Sequence, residues 1–536
     1  MHSRLERTDR RRRWRWLVVF GAISVIAAAC GDSKSDSTTP GATNATGSTV
    51  PGTTAPAKVE TDPTATIKIA YVGPATIDPH RTTSAHEYTY TAPVYDRLVH
   101  RSVDGKPIPG LAESWSFSAD GLQLTFKLRA NVKFHDGTPF NAAAVKANIE
   151  RGLTFATSTV KGDLGVITSV DAVDDLTARF NLSGPAASLP LILSTVGGSI
   201  ISPAAMAGDL ETKPVGTGPF KLTSYTRGSR IAYERNDDYW DKGAALVKSI
   251  EFTITSDTTA QLNALKSGQI DITTLQPGDV KDVEGLGFQI TSTGGLGFMH
   301  LQMNRALKPF DDERVRQAMN YAINRDAIVK ALLFGAGGVT AQPFPPGYFA
   351  YSDELKDLYK FDQAKARTLL KDAGYDNTLA FDIVTPAGPS VQVAEAIQSQ
   401  LKDVGVTVKI QSVEPAQFSP TFYGTNSKVP AGVVQWTGRT DPRQTFGQLY
   451  SATGNANPGR HTTPEVTDLF AKALKPSSDK TADEAAIRAV TTQVVKQALD
   501  VPVYFYTTQY GASKRVVGMQ TWASGYLDFY GIGIKK

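Results

Sequence analysis

Gly121-Leu122-Gln123-Leu124-Thr125-Phe126-Lys127-Leu128, running on through Arg129-Ala130-Asn131 to Val132-Lys133-Phe134-His135-Asp136-Gly137-Thr138-Pro139-Phe140-Asn141 and Ala142-Ala143-Ala144-Val145, changes period along its length. Leu122, Leu124, Phe126 and Leu128 alternate with polar residues, the period of a half-buried strand that Val132 and Phe134 are expected to continue. Asp136-Gly137 supplies a turn, and Asn141 a cap for a helix opening at Ala142. A strand handing over to a helix in this way points to an α/β chain.

The same alternation of periods recurs on both sides. Upstream, Ile67-Lys68-Ile69-Ala70-Tyr71-Val72 reads as a strand. Downstream, Ala260 to Ile272 reads as a helix ending near Gly268 and a strand through Ile270 and Ile272. From Asp311 to Phe334, Val315, Ala318, Met319, Ala322 and Ile323 share one helical face, with Asp311 or Asp312 as cap. Another helix runs from about Gln363 to Ala373 and stops at Gly374. Phe381 to Val384, Val391 to Val404 and Val406 to Val413 then form strand, helix and strand, which implies a parallel crossover.

Composition bounds what this body can do. It is 41% hydrophobic and 20% charged, and the roughly 470 residues after the leader and linker suggest two to four domains. The chain carries a formal charge of +4, but residues 1 to 30 hold seven arginines against Glu6 and Asp9, a local +5, so the remainder stands at −1. The basicity is a targeting signal, and no nucleic-acid partner is expected. Arg4 to Arg15 followed by the apolar Leu17 to Ala29 form a signal peptide, too short to span a bilayer permanently.

The single cysteine, Cys30, ends that leader. Ile26-Ala27-Ala28-Ala29-Cys30-Gly31 resembles a bacterial lipobox, with Ala27 where leucine is usual, so Cys30 is the expected lipidation site and the cell membrane the expected anchorage. An ordinary cut after Ala27-Ala28-Ala29 is the competing reading. Residues 31 to 61 are a Ser/Thr/Gly-rich tether with a span of roughly 30 Å. With one cysteine, neither an intramolecular disulfide nor a CxxC site can form.

Enzyme signatures fail one by one. His86-Glu87 is followed by Tyr90 where a zinc protease needs its second histidine, no GxSxG is present, and Gly216-Thr217-Gly218 runs into Pro219 instead of a phosphate-loop Lys. The seven histidines are scattered. Catalysis, a metal site and a cofactor are therefore not expected, and a secreted hydrolase is the rival from another class.

A succession of motifs carries a family resemblance. Tyr95-Asp96-Arg97-Leu98, Leu111-Ala112-Glu113-Ser114-Trp115 and Val132 to Phe140 are followed by Pro214-Val215-Gly216-Thr217-Gly218-Pro219-Phe220 and Arg235-Asn236-Asp237-Asp238-Tyr239-Trp240. Pro309 to Ala318 and Lys365 to Leu370 come next. In this order they resemble the family 5 extracellular solute-binding proteins, the peptide/nickel class serving ABC importers. The resemblance implies a two-lobed clamp like the periplasmic binding proteins, with an inserted third domain (class C). It places a first lobe at 62–99, 214–304 and 513–536, the insert at 100–213 and a second lobe at 305–512. A monomer is all such a clamp requires, with a permease, ATPase subunits and a peptide or other small polar solute as expected partners. Gly294-Gly295-Leu296-Gly297 reads either as a hinge segment or as a plain turn before a core strand.

The expected ligand-binding residues are Tyr71, Trp436, Gly438, Arg439 and Asp441. In peptide-binding relatives the residue three after the tryptophan is an aspartate that pairs with the solute's amine; here it is Arg439, which cannot accept from an ammonium. Arg439 then grips a carboxylate or phosphate, or Asp441 takes the amine, or the solute has no free amine; alternatively Arg439 pairs with Asp441 and only shapes the loop. A metal-chelate or haem receptor is the variant within the class, with Arg439 and His461 as its available contacts.

Overall fold

The computed structural model describes residues 60–82, 85–424, 426–477, 479–521 and 525–536. The signal peptide, Cys30 and nearly all of the tether lie outside the described residues.

One mixed sheet organises the body. Its strands lie in the order Thr407–Val413, Ala380–Pro386, Ala431–Trp436, Gln289–Met303, Val501–Ala512, Ile272–Leu275, Thr66–Tyr71, Ser249–Ile254, Arg230–Arg235 and Phe220–Thr226. At one end Thr66–Tyr71 is parallel to both neighbours, and the helix Thr258–Lys266 makes the crossover from Ser249–Ile254 to Ile272–Leu275. At the other, Ala380–Pro386 is parallel to both of its neighbours, with the helix Pro389–Lys402 crossing to Thr407–Val413. These are the parallel crossovers the periodicity implies. Between the two halves, the long strands Gln289–Met303 and Val501–Ala512 run antiparallel.

The quoted stretch sits in a separate four-stranded antiparallel sheet, ordered Ala112–Phe117, Gln123–Leu128, Thr177–Leu182, Ile167–Asp174. Leu124, Phe126 and Leu128 point into a core closed by Val145 and Ile149 of the helix Ala142–Thr154. Burying each such side chain is worth about 1.5 to 3 kcal/mol. Asn141 caps that helix, its Oδ1 accepting from the Ala144 N–H at 3.1 Å.

The alternation fails at both ends of the strand. Leu122 is 40% exposed, held in a turn by the Asp120 carboxylate accepting its N–H. Val132 and Phe134 are buried but lie outside any strand, because Phe134 donates its N–H to the Thr138 carbonyl across the Asp136-Gly137 turn. The single helix read after Asp311 is two, Glu313–Ala322 and Arg325–Leu333. Asp312 caps the first; at Ile323 the backbone turns extended, and Asn324 caps the second by accepting from the Ala327 N–H.

Two of the quoted motifs meet in space. The buried carboxylate of Asp96 accepts from Tyr239 Oη and Trp240 Nε1, both at 2.8 Å, joining stretches far apart in the chain.

Candidate functional site

The central strand pair breaks register where the two halves of the sheet meet. Gln289 to Gly294 pair with Ala512 to Thr507, and Phe298 to Leu301 pair with Phe505 to Val501. Gly295, Leu296 and Gly297 fall in the break, inside a continuous strand. They are thus a bulge and not a turn preceding the strand. A bulge bends its strand and re-aims neighbouring side chains.

A cavity of about 410 Å³ opens on this bulge. Gly295, Leu296, Gly297 and Tyr506 form part of it, the loop Thr437 to Thr440 lies on one side, and Thr508, Gly525 and Tyr526 lie on another. Asp163, Ile192, Thr195 and Val196, from the segment around the four-stranded sheet, complete it with Thr82 and Tyr88. The volume lies in the range of small-molecule sites, and such sites favour places where structural units converge.

Local folding aims the Thr437–Thr440 loop. The strand Ala431–Trp436 ends there, and the helix Pro442–Leu449 begins immediately after, with Asp441 Oδ1 accepting from the Arg443 N–H at 2.7 Å as its cap. Gly438 makes the connection at a φ of +76°, pressed against the bulge so closely that an added Cβ would stand 2.5 Å from the Leu296 carbonyl carbon. Gly438→Ala is therefore expected to cost about 2 to 3 kcal/mol, from left-handed strain and overpacking together. Urea unfolding measures it, and a loss below about 0.5 kcal/mol would show that the loop moves aside freely.

The five expected binding residues separate into distinct places. Gly438 and Arg439 line the cavity. Arg439 is exposed, donates from Nη1 to Thr437 Oγ1 at 3.0 Å and to the Gly438 carbonyl at 2.7 Å, and stacks its guanidinium 5.0 Å from the centre of the Trp436 ring. Trp436 itself stands behind the lining, 8% exposed and packed with Leu296, Phe298 and Phe446, its indole N–H without a hydrogen-bond partner among the described residues. Tyr71 is 8% exposed beside Tyr90 and His86, outside the lining, and burial raises its hydroxyl pKa.

Asp441 is wholly buried and does not reach the cavity. Its carboxylate pairs with Arg443 at 3.0 Å, so the pairing of Arg439 with Asp441 is overturned: Arg443 occupies that role. Asp441 is thus committed to a cap and an ion pair, away from the cavity lining.

Sequence reasoning missed Asp163. It lies on the four-residue helix Lys161–Leu164, too short to show a period, and its Oδ1 accepts from Gln444 Nε2 at 3.5 Å. The protein crowding around it raises its carboxyl pKa, while the Arg439 guanidinium draws it back down. Tyr88, Tyr506 and Tyr526 were likewise unmarked. Among the described residues, no three His, Cys, Asp or Glu side chains are grouped to hold a metal ion.

Comparison with known proteins bears on this geometry. Residues 106–458 match the family described as bacterial extracellular solute-binding proteins, family 5 middle. The chain is 32% identical to the dipeptide-binding protein of Escherichia coli over 416 residues, covering 70% of this chain and 77% of that protein. It is 31% identical to heme-binding protein A of Haemophilus influenzae over 486 residues, covering 82% of this chain and 87% of that one. The structure of HbpA2 from Haemophilus parasuis superposes with a TM-score of 0.81 at 27% identity, covering 88% of this chain and all of that one.

Proposed function

Because the chain belongs to the family 5 bacterial extracellular solute-binding proteins, which serve ABC importers, we propose that it captures an oligopeptide or similar small polar solute in the cavity at the strand bulge and hands it to the permease. The family is one of binding proteins and not of enzymes, and its members work outside the cell with permease and ATPase subunits. The observation that carries the solute reading is the composition of the cavity: Thr82, Thr195, Gln435, Thr437, Thr440 and Thr508 present hydroxyls and amides that suit the peptide bonds of a polar solute.

Closure supplies the means of capture and release. The central strands of the main sheet, the loop after Trp436 and segments flanking the four-stranded sheet face one cavity, and the bulged crossing of the two long strands is the point about which the lobes turn. On this reading residues 62–99, 214–304 and 513–536 form one lobe, 305–512 the other, and 100–213 the insert. Lipidation of Cys30 and the tether of residues 31–61 hold this monomeric body at the outer face of the cell membrane.

Arg439 receives a carboxylate of the solute, since its Nε and Nη2 have no hydrogen-bond partner among the described residues and a guanidinium fork matches a carboxylate. Native mass spectrometry of the protein purified from its own host tests the proposal. A co-purifying peptide-like acid is the expected result, and Arg439→Gln should weaken its binding by about tenfold to a hundredfold, the worth of a charge-assisted hydrogen bond. A bound haem or metal chelate would overturn the peptide assignment while leaving the family intact.

A further inference from the structure

We propose that Asp163 and Arg439 together form a dipolar receptor for a zwitterionic solute, Asp163 taking the free ammonium group and Arg439 the carboxylate. This rests on the reading of Arg439 as the carboxylate receptor and names the class of solute more closely.

Among the described residues that line the cavity, Asp163 and Arg439 are the charged ones, one of each sign. They are carried by separate pieces of chain, Asp163 on Lys161–Leu164 and Arg439 on the loop after Ala431–Trp436. Closing water out of the cavity around a plain anion would satisfy Arg439 and leave Asp163 as an unpaired, desolvated carboxylate, which is costly. A neutral capped solute would desolvate both and leave each only the other's charge to offset it. A zwitterion pairs each.

Both side chains also have unused bonding capacity. An ionised carboxylate offers about four acceptor sites. The bond that Asp163 receives from Gln444 is at 3.5 Å, the long limit of a hydrogen bond, so its acceptor capacity is almost entirely unspent. Among the described residues, Arg439 spends only Nη1. The other carboxylate near the loop, Asp441, is buried and held by Arg443. Asp163 is therefore the acceptor available to an ammonium group, and holding the amine there rather than at position 439 changes the sense in which the solute lies.

The test uses pooled tripeptides with neutral side chains in four terminal forms: free, N-acetylated, C-amidated and doubly capped. Retention by the purified protein is read by native mass spectrometry. The wild-type protein should retain the free form about tenfold or more over the N-acetylated form. Asp163→Asn should bring these two together while leaving the preference for acid over amide in place. Arg439→Gln should abolish the acid preference instead. Thermal melting of both variants checks that the fold is kept.

An N-acetyl penalty that is equal in the wild type and in Asp163→Asn would overturn the role of Asp163 and leave the Arg439 reading standing, as would wild-type retention of the acetylated acid as strongly as the free form. A protein that retains no acid, or whose acid preference survives Arg439→Gln, would overturn both.

Discussion

Arg443→Ala is expected to destabilise the folded protein by about 3 to 5 kcal/mol, the cost of leaving a buried carboxylate without its partner. Arg443 is 4% exposed and Asp441 wholly buried. The guanidinium donates from Nη1 to Asp441 at 3.0 Å, from Nε to the Ala473 carbonyl at 2.6 Å, and from Nη2 to Asp483. It thereby ties the cap of Pro442–Leu449 to the end of the helix Pro464–Ala473 and the start of Lys480–Lys496. Burial pushes the Asp441 carboxyl pKa up, and Arg443 pulls it back. Without the guanidinium, Asp441 and Asp483 repel, and Asp441 is relieved only by taking up a proton.

Two readouts follow. The deficit relative to wild type, measured by urea unfolding, should shrink as pH falls and Asp441 protonates in the variant. Combining Asp441→Asn with Arg443→Met, which removes both charges and keeps an Asn cap, should recover most of the loss. A single-variant cost below about 1 kcal/mol would show that the pair contributes little.

Acidification supplies the second large effect. Burial lowers the pKa of His80 to about 4 from 6.5, helped by Arg151, whose Nη1 donates to His80 Nδ1 at 3.0 Å; Asp78 opposes the shift. His135 is also lowered to about 4, chiefly by burial, while its Nε2 donates to the Gly218 carbonyl at 3.0 Å. Both rings are neutral in the folded protein at pH values where the unfolded chain protonates them. Their contribution to stability is complete above pH 6.5 and is lost as pH falls toward 4.

By pH 4.5 each histidine should have withdrawn on the order of 2 to 3 kcal/mol relative to pH 7.5, and the two together a large share of a typical stability of roughly 5 to 15 kcal/mol. His80→Gln, which keeps an acceptor for Arg151, should reduce the drop in stability between those pH values by its own share. Titration followed by NMR provides the direct check. A His80 ring that protonates near pH 6.5 in the folded protein would remove the basis of the prediction.

Much of the fold was legible from local pattern. Period-two alternation located Gln123–Leu128, and the strand, helix and strand after Ala380 announced their own crossover. Where the reading slipped, a short side-chain bond had overruled the pattern: Asp120 holding Leu122 in a turn, and Asn324 starting a second helix where hydrophobic spacing ran on smoothly. A hydrophobic face records burial, and burial does not require one unbroken element.

The site was legible only in part, because its residues are related by convergence and not by spacing. Sequence alone determined the α/β class, the motif order that marks the family, and the presence of Arg439 three residues after Trp436. It could not decide which guanidinium Asp441 meets, since Arg439 and Arg443 are both within a few residues, and only packing against Ala473 and Asp483 selects Arg443. Nor could it bring Asp163 to Arg439 across more than half the chain. Periodicity reports the environment of neighbours along one element; a cavity is made by separate elements whose meeting is set by the register of the two long central strands and the cores on either side of them.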